Sequence, residues 1–255
     1  WIGLALMGLV NFLKKYASEK TVAICALPIS LLAVPVDLAK ENWDDHSRAH
    51  RYTARDFAYD YLNSCAPNAV LFTNGDNDTF PLWYLQEVEG VRTDVRIVNL
   101  SLLNTDWYVT QMKRAAYEGD PVEFSLTEPE YRQGTRDQVI LDTRGSKYYS
   151  VKEHLEFLRR NDGTNMYTLQ SGEKLYYFQS NKFYIPVDSA KVVNSGLVKS
   201  EKIGRLKKSI SWEINRPYLM KNEVMILDLL SQFNWDRPIY FALTVGDRYI
   251  GLEKF

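Results

Sequence analysis

The sequence predicts an α/β fold: a mostly parallel sheet flanked by helices with a small antiparallel hairpin insertion, preceded by one or two transmembrane helices. Buried-type apolar runs alternate with amphipathic segments after residue 65, which is typical of parallel α/β units. Aromatic and polar residues alternate over residues 166–187, which indicates antiparallel hairpins. The first 40 residues contain 26 apolar and six charged residues.

Two apolar runs at the start of the chain predict a membrane segment. Residues 1–13 carry no charge, residues 21–38 are again apolar, and three lysines lie between the two runs. A spanning helix needs about 20 apolar residues, and the second run nearly reaches that length despite its prolines. A signal peptide fits poorly because an apolar run precedes the basic cluster, and the remaining alternative is a buried hairpin of a soluble protein.

The membrane reading divides the chain into two regions. Residues 1–40 form the membrane segment or segments with a short basic loop, and residues 41–255 form an extracytoplasmic α/β domain. The lysines belong in the cytoplasm by the positive-inside rule, so the chain after about residue 40 lies in the periplasm of a bacterial inner membrane. Cys25 and Cys65 fall on opposite sides of this boundary, and no disulfide is expected.

Hydrophobic spacing predicts the elements of the second region. Helices are predicted over residues 44–64, 80–88, 105–117, 150–160 and 223–233. Strands are predicted over residues 69–73, 95–100, 138–141 and 238–243. The pairs Ser171-Gly172 and Ser180-Asn181 predict the turns of two antiparallel hairpins.

Polar residues follow two neighbouring predicted strands. The ends of parallel strands meet at one edge of a sheet, where ligands bind in open α/β folds. Carboxylates and amides on such an edge suit a divalent cation or sugar hydroxyls, and the cofactor stays open. The predicted catalytic residues are Asp76, Asp78 and Asp106, and the predicted substrate-binding residues are Asn74, Asn77, Thr79, Asn104, Trp107 and Tyr108. The alternative is that Gly75 makes a turn and Asp78 or Thr79 caps the following helix.

Other chemistries find less support in the residues. His46 and His50 are four apart on a predicted helix and could share a metal, but without a His-Glu-x-x-His arrangement a solvated helix face is the favoured explanation. The chain has no Gly-x-Ser-x-Gly elbow for a nucleophilic serine. A net charge of -1 excludes the broad basic surface of a nucleic-acid-binding protein. The 13% of aromatic residues favours carbohydrate binding only slightly.

Four segments carry a resemblance to a known family. They are residues 42–48, 52–58, 72–85 and 218–228, and the run Asp-Asn-Asp-Thr-Phe-Pro-Leu-Trp-Tyr from position 76 is the most specific. Together they resemble large multi-pass membrane proteins of Bacteroidetes that are grouped with the transmembrane protein O-mannosyltransferases, a branch of the GT-C glycosyltransferases. The resemblance covers essentially the whole chain.

The resemblance implies a function for a longer protein. Such a protein moves a sugar from a polyprenyl-phosphate donor to Ser or Thr of exported proteins, with its catalytic acid in a region preceding this sequence. The chain is then expected to be a fragment that is inactive alone, with its three carboxylates orienting acceptor, sugar or a divalent ion. A non-catalytic periplasmic module that binds glycan or polypeptide is the first alternative, and a metal-dependent phosphoester hydrolase is the second.

Overall fold

The computed structural model describes residues 1–196, 198, 200–246 and 250–251. The chain divides into two compact units, Trp1–Tyr52 and Thr53–Phe255. The first contains only helices and turns, and we call it the helical unit. The second contains all the described strands, and we call it the α/β unit.

The helical unit contains one helix that could cross a membrane. Its elements are α1 (Ile2–Leu13), α2 (Glu19–Leu31), a π-helical turn (Leu32–Val36) and α3 (Asp37–His46). The last three form one continuous helix, Glu19–His46, whose 28 residues are long and apolar enough to span a bilayer. In contrast, the 12 residues of α1 reach only about 18 Å, which is shorter than the hydrocarbon core of about 30 Å. The side of the membrane on which the chain continues stays a prediction.

Proline explains the irregular turn within this helix. Pro35 lies in the π-helical turn Leu32–Val36. A proline ring inside an α-helix clashes with the carbonyl four residues earlier and cannot donate to it. Widening one turn accommodates the missing bond, and π-helical turns inside α-helices are typical of this kind of local strain.

The single helix predicted over residues 44–64 is wrong, because two helices with a break take its place. Helix α3 ends at His46, and α4 (Thr53–Ser64) begins after six residues outside any helix. Ser47 has an extended backbone, and His50 has a φ of 65°, which no right-handed helix allows. His46 and His50 therefore do not share a helix face.

The α/β unit alternates helices and strands along most of its length. Its remaining helices are α5 (Asp76–Glu89), α6 (Asp106–Met112), α7 (Glu128–Tyr131), α8 (Val151–Leu158), α9 (Ser189–Asn194) and α10 (Lys221–Ser231). Its strands are β1 (Val70–Thr73), β2 (Arg96–Asn99), β3 (Gln138–Leu141), β4 (Tyr149–Ser150), β5 (Met166–Thr168), β6 (Lys174–Phe178), β7 (Lys182–Pro186), β8 (Ser209–Glu213), β9 (Tyr218–Met220) and β10 (Ile239–Phe241).

Among the described residues the strands form three sheets. The first has the order β10-β1-β2 and is entirely parallel. The second, β5-β6-β3-β9, and the third, β4-β7-β8, each combine parallel and antiparallel pairs. The prediction of an α/β fold is confirmed, but a mostly parallel arrangement describes only the first sheet.

One of the two predicted hairpins is present. Strands β5 and β6 pair antiparallel around Ser171-Gly172. Strands β6 and β7 belong to different sheets, so the hairpin predicted at Ser180-Asn181 is wrong. Both side chains bridge to other segments instead: Ser180 Oγ donates to Lys147 O at 2.9 Å, and Asn181 Nδ2 donates to Ile214 O at 3.1 Å.

Strand β1 is the centre of the first sheet. All four of its residues are buried, as expected for a parallel strand covered on both faces. Phe72 is fully buried, and its ring stacks on that of Phe241 with centroids 5.2 Å apart. The predicted order of strand, helix, strand from β1 through α5 to β2 is confirmed, which fixes the carboxyl ends of β1 and β2 at one edge.

Helix α10 is buried on nearly every side, and its charged residues are paired. Lys221 Nζ lies 2.6 Å from Asp137 Oδ1, and Glu223 is paired with Arg216. Asp228 accepts from Ser125 Oγ at 2.5 Å. Buried charges are tolerated where a partner and hydrogen bonds compensate them, so these contacts hold the helix between the sheets.

Candidate functional site

Polar side chains surround the carboxyl ends of the parallel strands. We define the polar rim as residues 74–79 after β1, residues 99–106 at the end of β2, Asn222 of α10 and Thr244 after β10. Ligands of open α/β sheets bind at this edge. The contacts below determine which rim residues hold the fold and which face outward.

The buried part of the rim is a group of hydroxyl and amide side chains. Thr79 Oγ1 is 2.7 Å from Thr73 Oγ1 and donates to Gly75 O at 2.6 Å. Asn99 Nδ2 donates to Thr79 Oγ1 at 2.9 Å. Thr79 therefore joins the ends of β1 and β2 to the first turn of α5.

Replacing Thr79 with Val should destabilise the α/β unit by about 1–3 kcal/mol. Valine keeps the shape of the side chain but leaves the Asn99 amide and the Thr73 hydroxyl without their shared partner. Denaturant unfolding of the whole chain, followed by circular dichroism, measures this loss. Thr168→Val, at an exposed position of β5, is the control and should stay within about 0.5 kcal/mol of the unchanged protein. Equal unfolding midpoints for both variants would contradict the prediction.

Helix α5 begins earlier than its sequence predicts. Gly75 makes the turn with a φ of 91°, as expected, but the helix already starts at Asp76. Asp78 and Thr79 therefore lie inside the first turns rather than at the N-cap, and no side chain caps the helix. The capping interpretation of these two residues is wrong because it depended on a helix beginning near Phe80.

Asp78 is buried with one carboxylate oxygen unpartnered. The Thr244 hydroxyl donates to Asp78 Oδ2, which ties the segment after β10 to α5. Asp78 Oδ1 has no hydrogen-bond donor among the described residues. A buried carboxylate oxygen without a donor is costly to the folded state, so Asp78 Oδ1 is an unusual feature of the rim.

Asn222 provides a second acceptor of this kind. Its backbone N–H donates to Asn104 Oδ1 at 3.1 Å, and its Nδ2 donates to Leu100 O at 2.9 Å. Its own Oδ1 finds no donor within the described part of the chain. Sequence reasoning did not select Asn222 as a site residue, although it lies in the segment 218–228 that carries the family resemblance.

Three of the predicted residues face outward. Asn74, Asp76 and Asn77 are exposed at the start of α5. Ser101 Oγ donates to Asn74 Oδ1 at 3.4 Å, which joins the turns after β1 and β2. The two polar turns are therefore neighbours, as the parallel order of the strands predicts.

Asp106 uses its carboxylate for the local backbone. It is the first residue of α6 and accepts from Trp107 N at 2.8 Å and from Gln133 N at 3.4 Å. An acidic side chain in the first turn is favourable beside the free N–H groups of the helix. The contacts of Asp106 therefore differ from those of Asp78, and no residue in these hydrogen bonds links the two carboxylates.

Trp107 and Tyr108 are neighbours on α6 whose rings are in edge contact, with centroids 5.5 Å apart, but they differ in exposure. Trp107 is 55% exposed, whereas Tyr108 is buried and its hydroxyl accepts from Asn99 N at 2.9 Å. Burial raises the pKa of Tyr108 above its ordinary value. The hydroxyl of Tyr108 therefore satisfies the end of β2, while Trp107 is free to contact a ligand.

The described residues show no arrangement for a metal centre. Within residues 1–196, 198, 200–246 and 250–251, no group of three or more His, Cys, Asp or Glu side chains could hold an ion. His46 Nδ1 lies 2.9 Å from Asn42 O, and His154 is fully buried in the α/β unit. The chemistry that the rim itself supplies is hydrogen bonding by carboxylate, amide and hydroxyl groups.

Comparison with known proteins identifies one family. A family model described as TMEM260-associated domain 2 matches residues 54–255. No curated protein and no solved structure matches the chain. The matched range includes the whole polar rim.

Proposed function

The chain belongs to the family described as TMEM260-associated domain 2. On this premise we propose that its α/β unit recognises the acceptor polypeptide of a membrane-bound protein O-glycosyltransferase. In this proposal the full-length protein moves a sugar from a polyprenyl-phosphate donor to Ser or Thr of exported proteins. The polar rim holds the acceptor polypeptide beside the membrane.

The observation that carries the proposal is the pair of buried, unpartnered acceptor oxygens. Asp78 Oδ1 and Asn222 Oδ1 both belong to the rim and have no donor among the described residues. A Ser or Thr hydroxyl, or an N–H of an extended polypeptide, is a donor of the required kind. Each such bond recovers part of the cost of burying these oxygens, which is about 1–3 kcal/mol for a group left unsatisfied.

The three carboxylates take different parts in this proposal. Asp76 is exposed at the start of α5. In this proposal it contacts an acceptor hydroxyl, as a general base or an orienting group. Asp78 accepts a hydrogen bond from the acceptor through its buried carboxylate, and Asp106 stabilises the start of α6. By the family resemblance, the principal catalytic acid comes from another part of the full-length protein.

The helix Glu19–His46 supports a position at the membrane. By length and composition it could anchor the chain. We propose that the α/β unit lies on the periplasmic side, because the lysines between α1 and α2 suit the cytoplasm. In this proposal the α/β unit shares a compartment with exported polypeptides.

Glycosylation by the full-length protein tests the assignment. Asp78→Asn keeps the contact with Thr244 but presents an N–H where the acceptor oxygen was, so glycosylation of exported proteins should fall about tenfold or more, equivalent to about 1.4 kcal/mol. Asp142→Asn is the matched control, because Asp142 pairs with the exposed Arg144 outside the rim. Glycan-dependent mass shifts of exported proteins provide the measurement, with membrane levels of each variant determined in parallel.

The kinetics separate recognition from catalysis. A recognition role predicts that Asp78→Asn raises KM for an acceptor peptide and leaves kcat nearly unchanged, whereas a catalytic role predicts a fall in kcat. Full glycosylation by both Asp78→Asn and Asp76→Asn would contradict the proposal. Acceptor binding without any glycosylation by the full-length protein would favour an independent binding module. Nothing observed among the described residues favours a phosphoester hydrolase.

A further inference from the structure

A cavity of about 380 Å³ lies between α5 and α6, beside β2. We propose that this cavity is a second binding site and that it takes one neutral pyranose ring of a glycan. We call it the aromatic cleft; its aromatic residues are Trp83, Trp107, Tyr108 and Tyr117. Its volume is at the lower end of the range for small-molecule sites, which suits a single sugar ring. The cleft shares only Leu102 with the rim, and the inference does not depend on the proposed function.

Two of the four aromatic residues of the cleft are largely exposed. Trp107 is 55% exposed and Tyr117 is 65% exposed, although both line a concave site. Trp83 is partly buried and packs against the core, which fixes its ring. Flat, rigid aromatic faces offer a large apolar area at small entropic cost, and the C–H face of a pyranose stacks on them.

Arg96 supplies a buried donor to the same cavity. It is 8% exposed, and its guanidinium donates to Arg114 O at 3.1 Å. Its Nε has no acceptor among the described residues. Burial lowers the pKa of Arg96, so a ligand oxygen accepting from it would offset a cost of the folded state.

Gly119 packs closely against this arginine. A Cβ at Gly119 would lie 3.0 Å from Arg96 Cδ, so a larger residue would require the arginine side chain to shift by a few tenths of an ångström. A side chain at position 119 would therefore alter how Arg96 lies in the cleft.

The polar lining of the cleft favours a neutral ligand. Glu87 carries a charge opposite to that of Arg96, and it accepts a hydrogen bond from the Tyr117 hydroxyl. The amide of Gln86 is fixed by bonds to Arg92 O at 2.7 Å and Val95 O at 2.8 Å. One cation, one carboxylate and oriented amides can bond the hydroxyls of a sugar, whereas a single-sign cleft would select an ion.

Binding of simple sugars to the whole chain tests the inference. The 255-residue chain is kept in a detergent without a sugar headgroup and titrated with methyl α-mannopyranoside, methyl β-galactopyranoside and N-acetylglucosamine. We expect saturable quenching of tryptophan fluorescence by at least one of them, with a dissociation constant on the order of 1 mM. Trp107→Ala should weaken this binding about tenfold.

Tyr84→Ala is the matched control, because Tyr84 is a 47% exposed aromatic residue of α5 outside the cleft. It should bind as the unchanged protein does. Should Trp107→Ala fail to fold by circular dichroism, Tyr117→Ala replaces it with the same expected loss. Absence of saturable binding for all three sugars would overturn the inference. Equal affinity in the cleft variants, or Arg96-dependent binding of inorganic phosphate in place of sugar, would also overturn it.

Discussion

Acidification from about pH 7 to about pH 4.5 should lower the free energy of unfolding of the α/β unit by about 2–3 kcal/mol through His154 alone. This side chain is fully buried, and its ring lies 4.3 Å from that of Phe183, centroid to centroid. Burial lowers the pKa of His154 from 6.5 to about 4, and the hydrogen bond to Lys182 O only partly opposes this effect.

Acid destabilises the α/β unit because the unfolded chain binds the proton at a higher pH than the folded chain does. The unfolded chain protonates its histidine near pH 6.5, whereas the folded α/β unit resists protonation until about pH 4. Proton uptake between these two values therefore favours the unfolded state, and the stability lost is complete near the lower pKa. Above about pH 6.5 both states are neutral at this position, and the effect disappears.

Replacing His154 with Phe isolates this contribution. Phenylalanine fills the site beside Phe178 and Phe183 and does not titrate. The difference in unfolding free energy between pH 7 and pH 4.5 should shrink by about 2–3 kcal/mol in the variant, whatever its absolute stability. Urea unfolding of both proteins at several pH values measures it. The same pH dependence in both would show that His154 is protonated equally in the folded and unfolded chain.

The variant Phe72→Ala should cost the α/β unit about 3–5 kcal/mol of unfolding free energy. Phe72 is fully buried in β1, the central strand of the parallel sheet, and stacks on Phe241. Removing the ring deletes buried apolar area and leaves a cavity beside Phe241 on the face of the sheet. Strands on both sides hold β1 in register, so the site can collapse only partly.

Phe80 provides the control for this substitution. It carries the same side chain but is 53% exposed on α5, and Phe80→Ala should cost about 1 kcal/mol or less. Denaturant unfolding of the two variants gives the comparison directly. A cost for Phe72→Ala as small as that for Phe80→Ala would show that β1 does not lie at the centre of the core.

Elements with a strong local pattern could be predicted from the sequence. Strand β1 reads as a short apolar run before Gly75, and the hairpin at Ser171-Gly172 reads as two alternating strands around a turn. The apolar run inside Glu19–His46 likewise needs no tertiary partner to be recognised. In each case the residues that decide the structure are neighbours in the chain.

Other elements depend on residues far away in the sequence. Ser180 and Asn181 have the composition of a turn, yet they hold β6 and β7 in separate sheets through Lys147 and Ile214. The amphipathic spacing over residues 44–64 continues across the break between α3 and α4, because spacing does not register a single residue with positive φ such as His50.

The candidate site shows the same division. The parallel order of β1 and β2 predicted that the turns beginning at Asn74 and near Asn104 are neighbours, and Ser101 joins them. The sequence could not show that Asp78 is buried against Thr244, which lies 166 residues further along the chain. It also gave no reason to select Asn222 or Arg96, whose unpartnered atoms exist only once the surrounding segments exclude water.

By itself, the sequence determined the apolar helix that could span a membrane, the α/β class and the position of a polar edge after the parallel strands. These properties follow from local hydrophobicity, periodicity and the direction of consecutive strands. Only the tertiary structure decided the division of the described strands into three sheets, the different contacts of the three carboxylates and the shape of the aromatic cleft. Burial and hydrogen-bond satisfaction arise from contacts between distant segments, so no local pattern records them.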